Sequence, residues 1–161
     1  MTFGRKSKNM KTVIQRVKSA SVTVDGETIG SIDHGLLVLL GVEHGDTDLE
    51  VQWLTEKTSQ LRIFDDHNGK MNLSVLDIKG SILIVSQFTL LADCRRGRRP
   101  AFTNAAEPKL ANQLYQHFIE SIRNLGITTQ SGRFAADMQV SLINDGPVTL
   151  VIDREPSGLA V

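Results

Sequence analysis

Residues 35–42 read GLLVLLGV, from Gly35 through Leu36, Leu37, Val38, Leu39 and Leu40 to Gly41 and Val42. No polar side chain interrupts the run, and it is too short for a typical core helix. That is the pattern of a strand buried on both faces, which belongs at the centre of a sheet. Outward from it, residues 12–18 (TVIQRVK) and 21–25 (SVTVD) alternate apolar and polar side chains, as two half-buried strands do. Gly26-Glu27 reads as a turn into a further strand at 28–32. Downstream, Asp46-Thr47-Asp48 starts a helix carried by Leu49, Trp53, Leu54 and Leu61 as far as Arg62. Residues 81–85 (SILIV) form a second buried strand. The clearest helix runs over 107–125, with Leu110, Leu114, Phe118, Ile119 and Ile122 on one face and Gly126 in the C′ position. Strands at 127–129, 138–143 and 148–153 complete the series. The last two flank Asn144-Asp145-Gly146-Pro147, which reads as the tip of a hairpin.

Two helices among about seven strands in mixed order imply an α/β fold of one domain, a mixed sheet in an α/β/β layered sandwich. The domain is expected over residues 10–154, with an unstructured leader at 1–9 and a flexible tail at 155–161. No GxGxxG or GxxxxGK[ST] opens a helix, so neither a dinucleotide fold nor a P-loop is expected, and no cofactor is implied.

The 161 residues carry 18 basic and 18 acidic side chains, so no net positive field attracts nucleic acid. Any RNA contact must come from local clustering. A single cysteine, Cys94, excludes an internal disulfide and points to a reducing, cytoplasmic setting. No apolar run is long enough to span a bilayer. The leader holds Arg5, Lys6 and Lys8 without a following apolar segment, so it is not a signal peptide. A transit-peptide fragment and an upstream start remain, and Met10 at the head of the first patterned strand favours the second.

The chemical candidates are few. His34, His44, His67 and His117 show no metal-ligand spacing, and Asp65-Asp66-His67-Asn68-Gly69 lacks the acidic ladder of a calcium loop, so it reads as a polar turn and no metal is expected. Ser86 and Thr89 are hydroxyls at a strand end, outside any GxSxG elbow. They serve either as hydrogen-bonding groups or as members of a triad assembled from distant segments. Arg95, Arg96, Arg98 and Arg99 crowd one short loop, a density that suits phosphate oxygens as well as a solvated surface. Gly146-Pro147 is a bond that proline permits to be cis.

Taken together, Ser86-Gln87-Phe88-Thr89-Leu90 (SQFTL) and residues 144–149 (NDGPVT) resemble the two signature motifs of the D-aminoacyl-tRNA deacylase family. Collinear matches lie at 10–17 (MKTVIQRV), at Arg62-Ile63-Phe64, at 69–72 (GKMN), at Arg98-Arg99-Pro100 and at 132–141 (GRFAADMQVS). The resemblance covers about residues 10–153.

It implies a homodimer with the active site at the subunit interface, acting on the acceptor end of aminoacyl-tRNA. Gly146-Pro147 is then cis and reaches into the partner's pocket, where its carbonyl oxygens exclude the side chain of an L-amino acid. Such rejection tolerates glycine, which has no side chain to exclude. The strand end of Ser86, Gln87, Phe88 and Thr89 becomes the reaction centre, with backbone N–H groups of Phe88 and Thr89 as oxyanion donors. Phe134 and Met138 pack on the terminal adenine, and the arginine loop holds phosphates. Either Thr89 attacks the ester or the 2′-hydroxyl of the terminal ribose assists. The absence of a basic residue near Thr89 in sequence favours the ribose. Competing readings are an RNA-binding module without turnover, a serine or threonine esterase of small substrates, and a dimerising scaffold.

Overall fold

Alternate side chains of β3 (Gly35–Gly41) pack into two different cores in the computed structural model, which describes residues 10–153. Leu36, Val38 and Leu40 join one core, and Leu37 joins the other. Burial on both faces is therefore what the GLLVLLGV run encodes. On one side of β3 lies β6 (Ser81–Ser86), parallel to it and followed by β7 (Thr128–Ser131), again parallel. On the other lies β1 (Lys11–Val24), antiparallel.

β1 corrects the sequence reading, which divided it into two strands. It is one strand of 14 residues. Its alternation breaks where Arg16 and Val17 are both buried, and there the strand changes partners. Lys11 to Val17 pair with β3, whereas Ala20 to Val24 pair with β2 (Glu27–Ile32). The second half folds over the back of the sheet, so Val17, Val22, Val24 and Ile32 pack on Leu37, Leu83 and Val85. This supplies the second β layer of the expected α/β/β arrangement.

The opposite face is covered by α1 (Asp48–Gln60) and α2 (Pro108–Asn124). α1 begins where the acidic cluster placed it. Thr47 is the N-cap, and its side chain and that of Glu50 form a capping box. The helix stops at Gln60, short of Arg62, and it buries Val51, Leu54, Thr55 and Thr58, while Leu49 is exposed. α2 buries Leu114, Tyr115, Phe118, Ile119 and Ile122, and Gly126 ends it at φ +85°. Between β4 (Phe64–Asp65) and β5 (Met71–Leu73), Asp66 accepts from the backbone N–H groups of Asn68 and Lys70, the polar turn expected there. The described residues thus form eight strands and two α-helices in one unit, and none of those helices is long and apolar enough to cross a membrane. The readings of residues 1–9 and 155–161 lie outside the described residues.

The second correction is β8 (Gln139–Asp153). It is one strand along the full length of β1, not a hairpin, and Gly146-Pro147 is not a hairpin tip. Gln15 pairs with Thr149 and Val17 with Asn144, so the single residue Arg16 faces four residues, 145–148, which bulge from the ladder.

Asp46 sits just ahead of the α1 cap and is 3% exposed. Burial pushes its carboxyl up to about 7, and the Glu50 and Glu43 carboxylates add to this against a hydrogen bond from the Glu43 N–H. A carboxyl raised in the folded state contributes stability that is complete below its unfolded value near 3.8 and lost as pH rises through about 7. The difference between wild type and Asp46→Asn in urea unfolding free energy should therefore shift by about 2–4 kcal/mol in favour of the variant between pH 4 and pH 8. A pH-independent difference would contradict this assignment.

Candidate active site

The C-terminal end of β6 leaves the sheet at Ser86 and turns at once into a 3-10 turn, Phe88–Leu91. The Gln87 N–H still bonds to the Leu40 carbonyl, which fixes where the chain departs. The turn's own bonding begins with the Leu90 N–H on the Gln87 carbonyl. The N–H groups of Phe88 and Thr89 precede it and stand at the open start of the turn. The Thr89 hydroxyl accepts a hydrogen bond from the Gln87 side-chain amide. Among the described residues, no histidine, lysine or carboxylate is hydrogen-bonded to it.

Beside this strand end lies a cavity of about 470 Å³, lined by Ser86, Gln87 and Phe88 on one wall and by Phe134, Met138 and Val140 on another. Ala105 and Ala106 close it from the segment that leads into α2. Residues 86–88 and the 134–138 segment are thus brought together by the fold around one cavity. Thr89 is adjacent and does not line the cavity.

Tyr115 explains how the second wall is held. It is 1% exposed, and its hydroxyl donates to the Ile84 carbonyl at 3.0 Å while its ring meets Phe134 at 6.0 Å between centroids. Burial pushes the phenol up to about 12, so it stays a neutral donor. The Gly132 N–H bonds to the same carbonyl, and a Cβ at Gly132 would stand 2.6 Å from the Met138 sulfur. Only glycine lets the thioether lie there. Tyr115, Gly132, Ala105 and Ala106 were not singled out from sequence. An aromatic on a buried helix face and three small residues carry no chemical signature of their own.

Gly146-Pro147 is cis and lies in the β8 bulge. Arg16 holds the bulge from within. Its guanidinium is buried, donates to the Asp145 carbonyl at 3.1 Å and the Ile63 carbonyl at 2.7 Å, and lies 3.5 Å from the Asp65 carboxylate. Asn144 closes the neck by donating to the Arg16 and Val148 carbonyls at 2.9 and 3.0 Å. Arg16 occupies the inward register of β1 with Thr12 and Ile14, and a charge at an inward position was the signal that could have revealed it.

The bulge does not line the cavity of its own chain. Arg16 pairs with Leu36 and Ser86 with Leu40, so the two motifs lie four residues apart along the strands and three strands apart across the sheet. That separation is on the order of 20 Å.

The arginine loop is tied at its neck by the Asp93–Ala101 bridge. Its four guanidiniums are not equivalent. Arg95 forks onto Asp93, with its Nε at 2.8 Å and Nη2 at 2.7 Å from the carboxylate, and holds that carboxyl far below its usual range. Arg96, Arg98 and Arg99 have no ion pair among the described residues. The loop therefore presents three uncommitted charges, not four.

Known proteins match this chain across the same elements. The model of the D-Tyr-tRNA(Tyr) deacylase family matches residues 13–153. A D-aminoacyl-tRNA deacylase of Geotalea daltonii is 59% identical over 150 residues, covering 91% of this chain and 100% of its own. One from Thermosipho africanus is 56% identical over 146 residues, 91% of this chain and 98% of its own. A solved structure described as c-Myc DNA Unwinding Element Binding Protein shares 41% identity and a TM-score of 0.85, covering 92% of this chain and 100% of that one. The match runs from the first strand through the bulged last one, and the chain belongs to the D-Tyr-tRNA(Tyr) deacylase family.

Proposed function

We propose that the chain hydrolyses the ester of D-aminoacyl-tRNA, and of misacylated glycyl-tRNA, while rejecting L-aminoacyl-tRNA. The supporting observation is the cavity at the end of β6, which sets the amide-bearing turn at Phe88 and Thr89 against the Phe134–Met138 wall. The turn amides bind the oxyanion of the tetrahedral intermediate, and the opposite wall stacks on the terminal adenine. The ester is already labile, so positioning and oxyanion stabilisation suffice, with the substrate's 2′-hydroxyl assisting.

Chirality is judged by a second copy. The bulge is too far from its own chain's cavity to act there, and its Gly146-Pro147 backbone closes the cavity of a partner in a homodimer. A backbone guard held by a buried arginine is stiffer than a rotameric side chain. Incubation with D-tyrosyl-, L-tyrosyl- and glycyl-tRNA tests the reading, with free amino acid as the readout. Release from the D- and glycyl-substrates alone is expected. RNA binding without release would favour a binding module, and hydrolysis of small esters alone would favour a simple esterase.

The loop charges act on binding. Arg96, Arg98 and Arg99 replaced together by Ala should raise KM, leave kcat and chirality preference intact, and flatten the log–log salt dependence by about 2 to 3, since each phosphate contact contributes about 0.7–0.9 to that slope. Arg95→Ala alone should change the slope less, because Asp93 already holds its charge. Equal effects of Arg95 and the other three would contradict this division.

A further inference from the structure

Phe88 and Phe102 meet edge to face, with ring centroids 5.1 Å apart and planes at 66°. They are 55% and 38% exposed, the two exposed residues among the phenylalanines, tyrosine and tryptophan of the described residues. Phe88 lines the cavity on one side, whereas Phe102 directly follows the bridge that closes the arginine loop. The pair therefore stands between the cavity and the loop that carries the unpaired cations. An exposed aromatic face costs free energy in water, and the packed core of the domain does not use these rings. A continuous track of cavity, aromatic ring and cationic loop is the arrangement that single-stranded nucleic acid requires: a base stacks on the ring while its phosphate meets the guanidiniums.

We propose that the Phe88–Phe102 pair is a stacking subsite for the nucleobase that precedes the terminal adenosine of the substrate RNA. Resting on the deacylase reading above, the subsite adds a second base to what the chain grips. Stacking of this kind needs only the face of the base and no hydrogen bond to its edge. Phe102 is here a binding group for the RNA end and takes no part in breaking the ester.

Two small substrates isolate the base from its phosphate. One is the D-tyrosyl ester of the cytidine–adenosine dinucleotide, and the other is the same dinucleotide ester with an abasic first residue. For wild type, the base should lower KM about tenfold, as a stacked base does elsewhere. In Phe102→Leu, which keeps apolar bulk but not the ring, that advantage should fall to within about twofold, with kcat unchanged. The subsite is overturned if wild type gains nothing from the base or if Phe102→Leu keeps the full advantage. It is equally overturned if Phe102→Leu weakens both esters alike, because the ring would then only shape the cavity. A wild type inactive on every D-ester counts against the deacylase reading, and the subsite with it.

Discussion

A substrate whose terminal ribose lacks the 2′-hydroxyl is expected to lose about a thousandfold in rate, while Thr89→Ala stays within about tenfold of wild type. The Thr89 hydroxyl accepts from the Gln87 amide, and among the described residues no base is placed to take its proton. An unactivated threonine is a poor nucleophile. What the turn does offer is backbone N–H groups at Phe88 and Thr89, and these survive substitution of the side chain. On the proposed reading, the RNA brings the group that relays a proton at the reacting carbonyl. Single-turnover rates on ordinary and 2′-deoxy-terminated D-tyrosyl-tRNA measure both effects. Complete loss in Thr89→Ala, an ordinary rate on the deoxy substrate and a trapped acyl-enzyme would establish the threonine as nucleophile instead.

Gly146→Ala should lower the preference for D- over L-tyrosyl-tRNA by about tenfold to a hundredfold, as a misplacement of about 1 Å at a reacting centre does. Gly146 stands at φ +128°, where an L side chain is strained. A Cβ there would meet a Val148 methyl at 2.9 Å and the Arg16 guanidinium at 3.0 Å. Val148 and Arg16 are both buried, so the bulge has to give way. Cleavage of the D-substrate should change less than acceptance of the L-substrate, because the proposed reaction centre lies at the end of another strand. An unchanged ratio of kcat/KM for the two hands would remove the bulge from the filter.

What the sequence revealed follows a physical division. Local burial was legible: GLLVLLGV announced a strand covered on both faces, and Asp46-Thr47-Asp48 announced a helix start whose cap proved to be Thr47. Non-local pairing was not. NDGP carries the same turn chemistry in a hairpin tip as in a bulge, and only the register with β1, more than a hundred residues away, separates the two. The break at Arg16 and Val17 misled for the same reason, since a strand that bends to a second partner interrupts its own alternation. Of the cavity lining, residues 86–88, Phe134 and Met138 were legible because motifs carry them. Tyr115 and Arg16 act by holding other groups, which no spacing rule reports. The pairing of Arg95 with Asp93 was within reach, because an acid two residues before an arginine is visible in Asp93-Cys94-Arg95.

The claim that one copy judges what another cleaves is tested most directly in a heterodimer purified through two different tags. One chain carries Ala106→Trp, which fills its cavity, and keeps an intact bulge; the other keeps its cavity and carries Gly146→Ala. The only working cavity then belongs to the chain with the damaged bulge. If the guard is supplied by the partner, this heterodimer retains the D-preference of wild type, at about half its activity per dimer since one of two sites works. Hydrolysis of L-tyrosyl-tRNA at about half the rate per dimer of the Gly146→Ala homodimer would show instead that each chain guards its own site, and would contradict the account.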